Sequence, residues 1–173
     1  MTGAETRWLT DPEMVAWRGL VRSTTGLLAM LDNELQAEHG LSLGDYEVLV
    51  LLSEAPGRAI RMSELAEQLR LSPSGMTRRI DGLVKGGLVE RRPCPSDRRG
   101  SNAVLTPRGF ETLQAAAPTH LRGVREHFID RLDPKRLAQL AAALSAIDID
   151  DQKAAGGCDR AVDLRERTAE GDA

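Results

Sequence analysis

Apolar residues recur at helical spacing near both ends of the chain, while the middle breaks into shorter periods, turns polar and then alternates. From Asp11-Pro12, read as an N-cap followed by a first-turn proline, Met14, Trp17, Val21, Leu28, Leu31 and Leu35 recur mostly at steps of three, four or seven. The run closes near His39-Gly40, which predicts one long helix over 11–39. Asp45 to Ser53 carries Val48, Leu49 and Leu52 as a short buried helix. Thr106-Pro107 opens another long helix, expected to reach about Leu132 with a kink at Pro118, and Pro134 to about Ile147 forms the last.

The middle reads RMSELAEQLRLSPSGMTRRIDGLVKGGLVERR. Ser63 followed by Glu64 reads as an N-cap, and Leu65, Ala66 and Leu69 repeat at helical spacing, so a short helix is expected over 63–70. Ser72-Pro73 then places a cap before a proline whose missing N–H does no harm at a first helical position, and this second helix ends near Gly86-Gly87. Two short helices joined by a tight connection form a helix-turn-helix, whose second member can enter a DNA major groove. On a helical wheel Met76, Ile80 and Leu83 form a narrow apolar stripe, which must face a core. Ser74, Arg78, Asp81 and Lys85 fall opposite it, with Thr77 and Arg79 on the shoulders.

Next come two strand-like runs, Leu88 to Arg92 and Asn102 to Leu105, separated by the turn chemistry PCPSDRRGS. A hairpin with a basic tip after a helix-turn-helix is a winged-helix arrangement. The fold class expected is therefore mainly α with a small β-hairpin wing, flanked by N- and C-terminal helices. The side chains suited to phosphates and base edges are Ser72, Ser74, Thr77, Arg78, Arg79 and Lys85 on the second helix, and Arg91, Asp97, Arg98 and Arg99 on the wing. Asp97 lies two residues before Arg99, close enough to orient its guanidinium.

Charge supports this division. The formal net charge of −3 hides an acidic segment over 1–57 (net −6), a basic one over 58–108 (net +6) and an acidic remainder (net −3). A basic block inside an acidic chain is the footprint of a polyanion site, because neutralised phosphates release counterions; on charge alone it is equally a solvated surface. With 173 residues, one domain with a real core is expected, built from Leu, Val, Ile, Ala and Met because aromatics make up only 3%. No apolar run approaches a membrane span and MTGAETRWLTDPE is not a signal pattern, so a soluble, cytoplasmic protein is expected. Cys94 and Cys158 form no framework, His39, His120 and His127 are scattered, and no metal or cofactor is expected. No GxSxG, P-loop or dinucleotide fingerprint points to an enzyme. Residues 58–108 contain no Phe, Tyr or Trp on which single-stranded nucleic acid would stack. Duplex DNA fits better; the rival reading is a winged helix that binds an acidic protein.

Residues 63–109, SELAEQLRLSPSGMTRRIDGLVKGGLVERRPCPSDRRGSNAVLTPRG, resemble the MarR family of bacterial transcriptional regulators. The most specific signature is Asp97-Arg98-Arg99 followed by Val104-Leu105-Thr106 and Gly109. The resemblance implies a homodimer whose long helices, 11–39 and 107–148, interlock around lobes spanning 41–106, with 149–173 left as a polar tail. It implies recognition helices in successive major grooves of an inverted repeat, Arg99 in the minor groove oriented by Asp97, and repression relieved by a small phenolic or anionic effector or by oxidation. An effector pocket between the helices and the lobe makes Trp17, Arg22, His39, Tyr46 and His120 candidate lining residues. Trp17 and Tyr46 serve equally as core residues, and His39 as a helix C-terminal residue favoured by the dipole. Cys94, beside Arg92, is the candidate for a redox response.

Overall fold

Side chains able to take over orphan amides mark where the helices begin. In the computed structural model, which describes residues 6–94 and 97–147 and gives 94 and 97–99 by backbone alone, helix α1 runs from Asp11 to His39. Its N-cap is Thr10 rather than Asp11: the Thr10 N–H donates to the Glu13 carboxylate at 2.7 Å, and Asp11 is already helical. The helix ends at Gly40, whose φ of 62° is a left-handed position that glycine adopts without strain. Helix α2, Leu43–Glu54, starts earlier than expected because Ser42 caps it, its Oγ accepting the Asp45 N–H at 3.2 Å. Val48, Leu49 and Leu52 of α2 are fully buried.

A 3-10 turn at Pro56–Arg58 leads into a strand absent from the sequence reading, β1, Ala59–Arg61. It passes directly into α3, Met62–Gln68, so Arg61 is the N-cap and Ser63, expected to cap, lies inside the first turn. Helix α4, Pro73–Lys85, begins as expected, with Ser72 Oγ accepting the Gly75 N–H at 3.1 Å. The hairpin is longer than expected: β2 covers Val89–Cys94 and β3 covers Asp97–Leu105, so much of the supposed turn is strand. The sheet is antiparallel in the order β1-β3-β2, with Ile60 opposite Ala103 and Arg91 opposite Ala103 on the other edge.

Helix α5, Pro107–His127, is capped by Thr106, whose Oγ1 accepts the Gly109 N–H at 2.9 Å. It stops before Leu132 because Phe128 leaves the helical region and a 3-10 turn follows at Ile129–Arg131. Asp133 then caps α6, Pro134–Ala146. The core joins Leu31 and Leu35 of α1, the buried face of α2, the Met76, Ile80 and Leu83 stripe of α4, Val89, Ala103 and Leu105 of the sheet, and Leu113 and Ala116 of α5. Only the C-terminal half of α1 takes part. Its other half exposes Val15, Trp17, Leu20 and Val21, and α6 buries none of its residues. The tail, with Cys158, lies outside the described residues.

Candidate nucleic-acid interface

The buried stripe of α4 decides which of its side chains reach solvent. With Met76, Ile80 and Leu83 against the core, Ser72, Ser74, Thr77, Arg78 and Lys85 are exposed on one outward surface. Pro73 at the start has no N–H of its own to satisfy, and Gly75 lets the Ser72 hydroxyl approach, since a Cβ there would lie 3.1 Å from Ser72 Oγ.

Two of the predicted cations are engaged by other residues of the chain. Arg79 turns toward α2, where its Nη1 lies 3.3 Å from Asp45 Oδ1 and its side chain is only 28% exposed. Arg91, on β2, reaches α4: its Nη2 lies 2.9 Å from Asp81 Oδ1 and donates to the Thr77 carbonyl at 3.2 Å. That pair of contacts ties the wing to α4. Arg92 pairs with Glu90 on the same strand. The side chains of Cys94, Asp97, Arg98 and Arg99, and the expected Asp97–Arg99 contact, lie outside the described residues.

A further cation that the sequence reading did not single out belongs here. Arg61 lies against the wing backbone, for a Cβ on Gly100 would fall 2.9 Å from its Nη2. The signal was hidden because three residues, Ala59–Arg61, are too few to show strand alternation. The wing root is locked from the other side by Thr106, whose Oγ1 donates to the carbonyls of Gly87 at 2.8 Å and Leu88 at 3.0 Å.

The five expected effector-pocket residues do not converge within one chain. Tyr46 of α2 is buried in the core with its ring 4.7 Å from that of His120 of α5, and His39 Nε2 lies 2.9 Å from Thr119 Oγ1. Those three gather where α1, α2 and α5 meet. Trp17 and Arg22 are exposed on the first half of α1, about 33 and 26 Å along the helix axis from His39 at 1.5 Å per residue. The junction is bound by polar contacts. Thr119 donates to Glu38 at 2.8 Å, Arg122 pairs with the same carboxylate, and Glu34 meets His127. The Thr119 hydrogen bond, followed by the hydrogen bond and charge of Arg122, holds the Glu38 carboxyl below its usual range against the opposing effect of burial, and burial lowers the pKa of His120, whose Nδ1 has no hydrogen-bond partner. No group of three or more potential ligands that could hold a metal occurs among the described residues.

Known proteins share this arrangement. Residues 39–100 match the MarR family. The structure of AbsC, a MarR family transcriptional regulator from Streptomyces coelicolor, is 46% identical, with a TM-score of 0.76 over 82% of this chain and 95% of that one. Sco3205, a MarR family regulator from the same organism solved in complex with DNA, is 38% identical, with a TM-score of 0.78 over 84% of this chain and 91% of that one. The transcriptional repressor YetL of Bacillus subtilis is 32% identical over 97 residues, which is 54% of this chain but only 58% of YetL. A helix-turn-helix braced by a three-stranded wing, set between long helices, and this degree of likeness over nearly the full length of AbsC together establish that the chain belongs to the MarR family of transcriptional regulators.

Proposed function

We propose that this chain is a cytoplasmic, non-enzymatic, homodimeric repressor that binds an inverted-repeat operator in double-stranded DNA and is released by a small phenolic or anionic effector. The observation that carries this reading is the outward face of α4, which presents Ser72, Ser74, Thr77, Arg78 and Lys85 beside a wing strapped to it by Arg91. Short hydroxyls and cations on a capped helix suit phosphates and base edges, and Arg78 has the planar fork that grips guanine O6 and N7 together. The family resemblance adds the wing residues Arg98 and Arg99 to the proposed contact, Arg99 for the minor groove with Asp97 as its orienting partner. Sco3205, 38% identical, was solved bound to DNA, which supports the same use of the fold here.

Dimerisation is supported by the apolar side chains left exposed on the two terminal helices, including Trp17 and Val21 on α1 and Leu144 on α6. A two-fold dimer reads half-sites about ten base pairs apart. The effector is assigned to the junction of helices and lobe, where Tyr46, His120 and His39 gather and where a bound molecule would change the angle between the two layers. Among the described residues, no helix is long and apolar enough to cross a membrane.

Fluorescence anisotropy with duplex from the intergenic region beside the protein's own gene, against a scrambled duplex over a salt series, tests the reading. Selective binding with a steep salt dependence is the expected result, the slope being about −0.9 per phosphate neutralised. Equal, weak binding to both duplexes would place the operator elsewhere or favour a protein-interaction module. In the same assay Arg78→Ala and Arg99→Ala should each weaken binding by roughly 1–3 kcal/mol, with Arg78→Ala also relaxing preference at one operator position.

A further inference from the structure

We infer that Arg79 is a positioning residue: it locks the recognition helix α4 onto the first turn of α2, so that the helical layer, through α2, sets the angle at which α4 is presented. This rests on the DNA-binding reading proposed above. Among the three cations of α4, Arg78 and Lys85 are exposed, whereas Arg79 is turned inward. Its guanidinium covers the backbone of Gly44 so closely that a Cβ at that position would fall 2.1 Å from Nη1, 2.6 Å from Cζ and 2.8 Å from Nη2. Only glycine admits that contact without displacing the arginine. The partner carboxylate is itself held in place, because Asp45 Oδ2 accepts from Ser42 Oγ at 2.7 Å while Oδ1 faces Arg79. Asp45 also lies in the first turn of α2, where the helix dipole favours a negative charge.

The charge of Arg79 also reaches a second carboxylate. Glu47 is half-buried, and burial raises its pKa while the charge of Arg79 opposes that rise. An arginine already paired with a carboxylate of its own chain has less counterion to release to DNA than an exposed one. On its far side, the start of α2 is tied to α1, where the Leu43 N–H donates to Asp32 Oδ1 at 2.8 Å. The contacts therefore run unbroken from Asp32 on α1, through the first turn of α2 and Asp45, to Arg79 on α4. Arg79 is the step at which a shift of the helical layer is delivered to the surface that meets DNA.

The test uses the full chain and the operator duplex, with Gly44→Ala, Asp45→Asn, Arg79→Met and the Gly44→Ala/Arg79→Met double variant. Arg79→Lys, which keeps the charge but loses the planar fork, serves as a milder companion should Arg79→Met unfold. Gly44→Ala should weaken operator binding about tenfold although it removes no charge, and Arg79→Met should do the same. The salt slope should remain that of the wild type, and the double variant should bind no worse than either single one. A slope shallower by about 0.9 in Arg79→Met, with Gly44→Ala binding like the wild type, would make Arg79 a phosphate ligand and overturn the inference. Wild-type affinity in both variants would overturn it equally. Hydrogen exchange without DNA keeps the two proposals apart. Faster exchange in α4 and in the first turn of α2 is expected in Gly44→Ala and Arg79→Met even if the wild type proves not to select any duplex, and unchanged exchange sinks the positioning role alone.

Discussion

Gly109 shows how a single residue of the sequence signature earns its place. A Cβ there would fall 2.0 Å from the Leu88 carbonyl oxygen, which is backbone and cannot rotate away, and 2.8 Å from Leu105 Cδ1. The start of α5 thus rests directly on the root of the wing. Gly109→Ala should cost at least about 1–3 kcal/mol, read as a lower urea midpoint, because overpacking against backbone is relieved only by moving an element. His120 offers a residue-level test of a different kind. Its pKa is lowered by burial, so the unfolded chain takes up the proton first. The stability contributed by the neutral ring is complete above the ordinary value of 6.5 and is lost as pH falls from there toward the folded value. Urea unfolding at about pH 7 and pH 5.5 should show a larger loss for the wild type than for His120→Phe, and parallel losses would remove His120 as the cause. Neither effect was legible from residue types, since a glycine and a histidine acquire these roles only from what is packed against them.

At the scale of elements, the caps and prolines carried most of the information. Ser72-Pro73 and Thr106-Pro107 stand at true helix starts because each hydroxyl finds an amide within its own first turn. Ser63 misled because β1 runs straight into α3, and Thr10, one residue before the expected cap of α1, had the Glu13 partner that completes a capping box. The wing strands are longer than their composition suggested: Pro93 on β2 and Gly100 on β3 read as turn residues, yet both occupy strand positions. Pro93 tolerates this on β2, an edge of the sheet. Pro118 lies on the exposed side of α5 within an otherwise continuous helix, where it removes one backbone hydrogen bond. Pro118→Ala should therefore raise the thermal midpoint, by up to about 3 kcal/mol of stability. A lower midpoint would mean that α5 needs the local geometry proline imposes in order to pack on α1.

For the molecule as a whole, the unpaired surface is the main consequence of the fold. Leu144 is 41% exposed and Ile147 56%, and Trp17 is 57% exposed on the half of α1 that leaves the core. If these surfaces meet across a two-fold axis, Leu144→Glu/Ile147→Glu should shift sedimentation equilibrium from dimer toward monomer, and with it abolish tight binding to a two-half-site duplex while sparing weak binding to a single half-site. A variant that stays dimeric would place the interface elsewhere. What the amino-acid sequence determined alone is local in its physics: the period of the helices, most of the caps, the turn-bounded hairpin and the basic block at 58–108 each depend on residues near one another in the chain. Whether a charge faces outward or inward is not local. Arg78 and Arg79 are adjacent, of one chemical type and both outside the apolar stripe, yet the tertiary structure leaves the first in solvent and folds the second over Gly44 beside Asp45, 34 residues away in the chain. The same holds for Tyr46, His120 and β1, whose roles come from partners brought together only when α2, α5 and β3 pack, because burial and pairing energies belong to contacts and not to residues.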